Sequence, residues 1–190
     1  VIGQGTRLTA AIVAAVLMAG LFVACGGSDS TSTATEENPA VTALQVSGGG
    51  SEQFRVKGSA SSSLEFGEEG DDSELQAAAE VVHGFYAARV EGEPATACSY
   101  MAKALVEKLE KLAARSTSTK GCVPFLEAFT SEISAPEGRE MTTVDAGSLR
   151  QDGEQAFLIY YGAGDAAYAM PLRQEDDAWK VASLSGEALG

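Results

Sequence analysis

The spacing of apolar residues changes once along this 190-residue chain, and that change limits the folds open to it. Leu75, Ala78, Ala79, Val82, Phe85 and Tyr86 follow the i, i+3, i+4, i+7 pattern of an amphipathic helix. The pattern predicts a helix from about 73 to 89, opened by a capping box of Asp71 with Glu74 or of Ser73 with Gln76. Glu91-Gly92-Glu93-Pro94 ends it, and Pro94 suits the first position of a new helix. Cys98, Met101, Ala102, Leu105, Leu109 and Leu112 then predict a single second helix reaching about 114, and 122–129 a short third one. After Pro136 the period falls to two. Strands are expected over 141–150, 155–161, 167–173 and 179–184, joined by turns rich in Gly and Asp. Helices first and sheet second make this an α+β chain, with the helices packed on an antiparallel sheet of about four strands.

Upstream, the residues do other work. Arg7 is the only charge before Asp29, and 8–23 is a 16-residue run that is almost wholly apolar, closing on Val23-Ala24-Cys25-Gly26-Gly27. A basic start, an apolar stretch and a small-residue cleavage site are the parts of a secretory signal peptide. A spanning helix needs about 20 apolar residues and a basic flank, whereas here an acidic, Ser/Thr-rich stretch follows. With a cysteine directly after the small Ala24, the segment resembles a bacterial lipoprotein signal. The resemblance implies that Cys25 is acylated and becomes the mature N-terminus. The expected organisation is a signal at 1–24, a disordered tether at 25–45, an irregular or briefly extended segment at 46–72 and a folded domain at 73–190. Within 46–72, Phe54-Arg55-Val56 and Leu64-Glu65-Phe66 alternate apolar with charged residues.

Removing 1–24 takes Arg7 but none of the 27 acidic residues, moving the net charge from −14 to −15. A surface this acidic repels phosphate backbones and anionic lipid alike, which argues against nucleic-acid binding and leaves the lipid on Cys25 as the membrane attachment. With Cys25 assigned to lipid, Cys98 and Cys122 either pair in an oxidising exterior or stand as two buried thiols. The bridge is the expected state, closing a loop of about 25 residues for roughly 3 kcal/mol. One histidine and three cysteines are too few for a dedicated metal site, and no cofactor pattern is present. The acidic groups Glu68-Glu69, Asp71-Asp72 and Glu175-Asp176-Asp177 lack the oxygen spacing of a calcium loop and are read as caps and turns.

Val82-His83-Gly84-Phe85-Tyr86-Ala87-Ala88, the following Gly92-Glu93-Pro94-Ala95-Thr96-Ala97-Cys98 and the closing Asp177-Ala178-Trp179-Lys180-Val181-Ala182 resemble the nuclear transport factor 2-like superfamily. Over about 73–184 they are similar in particular to actinobacterial lipoproteins of that type. The resemblance implies a cone-like curved sheet enclosing an apolar pocket, for which Phe85, Tyr86, Phe157, Tyr161, Tyr168 and Met170 are the candidate lining. Enzymes on this fold, such as ketosteroid isomerase, place a carboxylate or histidine and a tyrosine inside the cone. Here His83, Tyr86, Tyr100, Asp145, Tyr160, Tyr161 and Tyr168 are the polar candidates, and they form no catalytic set. His83 is expected at a boundary, Asp145 facing solvent, and Trp179 sealing sheet against helices. Since Tyr160 and Tyr161 point to opposite faces of one strand, only one of them can line the cone.

The resulting expectation is a non-enzymatic module on the outer face of a bacterial cytoplasmic membrane, binding a small apolar ligand or an envelope protein. An isomerase or dehydratase using a pocket carboxylate or His83, and a purely structural envelope protein, are the alternatives. Replacing Cys25 by serine should abolish palmitate labelling and release the protein from the membrane fraction. Complete membrane retention with labelling intact would contradict the anchor.

Overall fold

In the computed structural model, which describes residues 40–55, 62–116, 121–129 and 133–190, the first helical stripe is α1 (Asp72–Val90). The segment read as a signal, Cys25 and the stretch read as a tether as far as residue 39 lie outside the described residues. Asp71 Oδ1 accepts from the backbone N–H of Ser73 and Glu74 at 2.8 and 2.9 Å, and Glu74 Oε2 accepts from the N–H of Asp71 at 2.9 Å. This reciprocal box satisfies donors that the first turn leaves open. All six residues of the stripe are buried.

The second helix expected from 94 to 114 is in fact two, α2 (Pro94–Ser99) and α3 (Lys103–Ser116). Between them the chain extends so that Met101 bridges Val181 in parallel. The N–H of Ala102 donates to the carbonyl of Val181, and the N–H of Val181 to that of Tyr100, both at 2.9 Å. Two sheet-type hydrogen bonds thus interrupt a helical stripe, a tertiary effect that overrides local propensity. The third helix is α4 (Cys122–Phe129). Cys98 on α2 and Cys122 on α4 are joined by a disulfide with Cα atoms 6.1 Å apart.

A further helix, α5 (Ala135–Thr142), occupies part of the stretch expected as strand. Glu137 Oε2 accepts from both the N–H and the hydroxyl of Ser134, and Pro136 sits in the first turn. The first long strand therefore starts later than expected.

The sheet is mixed and curls into a half-barrel. Its spine is β3 (Asp145–Asp152), β4 (Gln155–Tyr161), β5 (Ala167–Glu175) and β6 (Ala178–Val181), an antiparallel meander. Three two-residue strands extend its edges. Here β1 (Gln45–Val46) pairs parallel with the start of β3, β2 (Glu68–Glu69) antiparallel with its end, and β7 (Glu187–Ala188) antiparallel with β5.

Along β4, Ala156, Leu158 and Tyr160 face the helices, together with Leu149, Met170, Leu172, Trp179 and Val181. Ile159 faces away, into a second core with Phe54, Leu64, Ala169 and Leu189, on which Phe157, Tyr161 and Ala167 also pack. The segment read as irregular at 46–72 builds much of that second core. Phe54 ends a short 3₁₀ turn (Ser51–Phe54), and Leu64 sits in a turn. Arg150 binds the segment down, donating to the carbonyls of Phe66 and Gly67 and pairing with Glu69 at 3.2 Å. Order begins before residue 46 as well. The N–H of Thr42 donates to Thr142 Oγ1 at 2.9 Å, and the carbonyl of Thr42 lies 2.7 Å from His83 Nε2.

A bulge in β3 between Ala146 and Ser148 places Gly147 beneath Phe54. A β-carbon at Gly147 would lie 2.6 Å from the Phe54 ring, so the second core requires glycine there. Phe54→Ala should cost about 3–5 kcal/mol in chemical denaturation, as for other buried aromatics. Gly147→Ala should also destabilise, but less in the Phe54→Ala background, where the colliding ring is gone.

Candidate functional site

At the end of the sheet where β4 turns into β5, the helical layer and the strands part to leave an open cavity of about 690 Å³. That volume lies within the range of small-molecule sites. Tyr86 and Arg89 of α1 form one wall, and Glu137, Glu140 and Met141 of α5 another. Tyr160 of β4, Tyr168 of β5, Gly162 and Ala163 of the turn, and residues 184–186 complete it.

The tyrosines are locked to one another. Tyr86 Oη lies 3.3 Å from Tyr160 Oη and accepts from the N–H of Gly186 at 3.1 Å. The rings of Tyr160 and Tyr168 stack with centroids 5.6 Å apart and planes 25° from parallel. A β-carbon at Gly186 would meet Tyr160 Oη at 2.7 Å, so a larger residue would push the 184–186 loop off the hydroxyl pair. Burial drives the phenols of both Tyr86 and Tyr160 above the ordinary tyrosine range. Both are neutral, hydrogen-bonding groups at physiological pH and not bases.

Arg89 lies one turn beyond Tyr86 on the same face of α1. Its Nη1 donates to the carbonyl of Leu184 at 3.0 Å, and its guanidinium carbon stands 5.3 Å from the centre of the Phe85 ring. Its Nε is buried without a hydrogen-bond partner. Loss of water around the guanidinium pushes its pKa down from the usual arginine value.

Several residues expected to line the cone lie elsewhere. Tyr86 and Tyr168 are on the cavity wall, but Phe85 and Met170 are fully enclosed in the main core. Phe157 and Tyr161 lie on the opposite face of the sheet, Phe157 edge-on to Phe66 and Tyr161 4.5 Å from Phe54. Tyr160, not Tyr161, lines the cavity. The register explains the correction: Tyr160 stands opposite Tyr168, and Leu158 opposite Met170, so these four share one face. Once Tyr168 is placed in the cone, even-numbered residues of β4 must follow it. Arg89 and the α5 residues carried no sequence signal as site residues, although Ser134 and Glu137, three apart, offered a capping signature for the helix that presents them.

Other polar candidates serve the scaffold. His83 bonds the Thr42 carbonyl, and Asp145 Oδ1 accepts from the N–H of Ser47 at 3.1 Å. Neither lines the cavity. Trp179 is buried between sheet and helices. Glu175 accepts from the N–H of Lys103 at 3.0 Å, and Asp176 pairs with its ammonium at 3.1 Å. Among the described residues, no cluster of three His, Cys, Asp or Glu could hold a metal ion, and no helix is long and apolar enough to cross a membrane.

Comparison with protein-family models, with curated proteins and with solved structures gives no match.

Because the buried phenols ionise later folded than unfolded, their linkage to stability has a definite sign. Stability is full below the usual tyrosine pKa of about 10 and declines as pH rises past it. Replacing both Tyr86 and Tyr160 by phenylalanine should therefore lessen the loss of stability between about pH 9 and pH 11. Melting curves across that range check it.

Proposed function

We propose that this chain is a lipid-anchored binding module, held through Cys25 on the outer face of a bacterial cytoplasmic membrane, whose cone-like domain takes up a small ligand. The observation that carries the reading is the open cavity walled by Tyr86, Tyr160 and Tyr168. Such a wall offers ring faces to an apolar body and neutral hydroxyls to orient it. An open cavity favours binding over a purely structural cone filled by its own side chains. Acid–base catalysis would require a titrating group near the working pH, oriented by a partner. His83 and Asp145 are instead engaged outside the cavity, Glu137 caps its own helix, and Glu140 is solvent-exposed with no partner among the described residues to orient it. Binding without chemistry is therefore the reading preferred over an isomerase or dehydratase.

The anchor rests on the signal-like segment and on the acidic charge, and a disulfide between Cys98 and Cys122 suits an oxidising exterior. The helix-then-meander order and the curled sheet agree with a nuclear transport factor 2-like domain.

The mature protein in phosphatidylcholine nanodiscs, titrated calorimetrically with neutral 3-phenylpropionamide against empty nanodiscs as reference, should show saturable binding. Ala163→Trp, which places an indole in the cavity, should weaken it at least about tenfold, or 1.4 kcal/mol. Binding that is absent, or that is unchanged by Ala163→Trp, would refute the cavity as the site.

A further inference from the structure

We infer that the ligand carries a single carboxylate, and that Arg89 receives it. This deepens the binding reading above and rests on it.

The argument begins with what Arg89 lacks. Its side chain lies along the cavity wall, partly withdrawn from water, yet among the described residues no carboxylate forms an ion pair with it. One guanidinium nitrogen is used on the Leu184 carbonyl, and the face of the group is packed against Phe85. These contacts fix its orientation while leaving Nε buried and unpartnered. A buried donor without an acceptor is a persistent cost in a folded protein, and a charged one more so. Nε itself is shut off from solvent, but an anionic ligand in the cavity would supply the counter-charge that the guanidinium lacks.

The surroundings narrow the anion. Among the described residues Arg89 is the only cation in the cavity lining, whereas Glu137 and Glu140 stand on the α5 wall. Hydrogen bonds from Ser134 hold the Glu137 carboxyl below its ordinary pKa, so it stays charged. One positive charge facing two negative ones disfavours a phosphate dianion and suits a monoanion. A planar carboxylate matches the fork of a guanidinium. Tyr86, one turn away, and Tyr160 bonded to it supply neutral hydroxyls beside that end, and the stacked ring of Tyr168 gives the body of the ligand an apolar bed. The fitting class is a monocarboxylate with a compact aromatic or branched apolar body.

The nanodisc titration should be repeated with 3-phenylpropionate beside 3-phenylpropionamide, which share one body and near-equal size but end in a charged carboxylate and a neutral amide. The carboxylate should bind at least about tenfold more tightly. Arg89→Gln should bring the ratio of the two affinities close to one. Arg89→Lys, which keeps a charge but loses the fork, should leave an intermediate ratio. Melting curves establish that each variant is folded, and the native comparison decides the matter even where one is not. Equal affinities in the native protein, or a preference that survives Arg89→Gln, would overturn the assignment to Arg89 while leaving the cavity a binding site. Failure of both probes to bind would overturn the binding reading and this inference together.

Discussion

The burial of β4 on both faces is the constraint from which the rest of the domain follows. Ala156, Leu158 and Tyr160 belong to the core under the helices, and Ile159 to the core under Phe54 and Leu64. A strand closed on two sides cannot slip by one residue without exchanging the contents of both cores. That fixes β5 opposite it, since Tyr160 must meet Tyr168 and Ile159 must meet Ala169. It also accounts for the small edge strands. The segment covering the outer core must be attached somewhere, and β1 and β2 attach it to the two ends of β3.

Features set by local chemistry were legible in the sequence. The stripe from Leu75 to Tyr86, the Asp71–Glu74 cap and the span of β4 depend on near neighbours, and periodicity finds them. Features set by distant partners were not. The break at Met101 exists because Val181 supplies a strand edge, and the first turn of α3 is capped by Glu175, 72 residues away. Phe54 and Leu64 sit among glycines and serines that read as linker, and only the outer face of β4 gives them something to cover. Alternation showed that Tyr160 and Tyr161 must separate, but not which side the helices take. The choice needed the pairing with Tyr168, which lies across a turn whose geometry the sequence left open.

The same separation places the cavity. Tyr160 and Tyr168 are the residues of the inner face nearest the β4–β5 turn, where α1 is also ending. Beyond them α5 walls the cavity, with Glu137 and Glu140 on its cavity side. The main core therefore gives way to a polar-edged chamber where apolar side chains run out. Tyr86 marks the boundary, its ring in the core and its hydroxyl in the network.

Whether such a chamber persists depends on what lines it. An apolar void of this size would forfeit packing contacts on every side, and its walls would tend to close. Here the walls are held apart by bonds that closure would break. Tyr86 is tied to Tyr160 and to the backbone of Gly186, Arg89 to the carbonyl of Leu184, and Glu137 to the N-terminus of its own helix. These bonds tie the named polar groups within the wall, which lowers the cost of keeping the chamber open. Arg89 Nε is buried without a partner, and it is a charged donor. The guanidinium therefore stands on the wall of an open chamber with no carboxylate paired to it among the described residues.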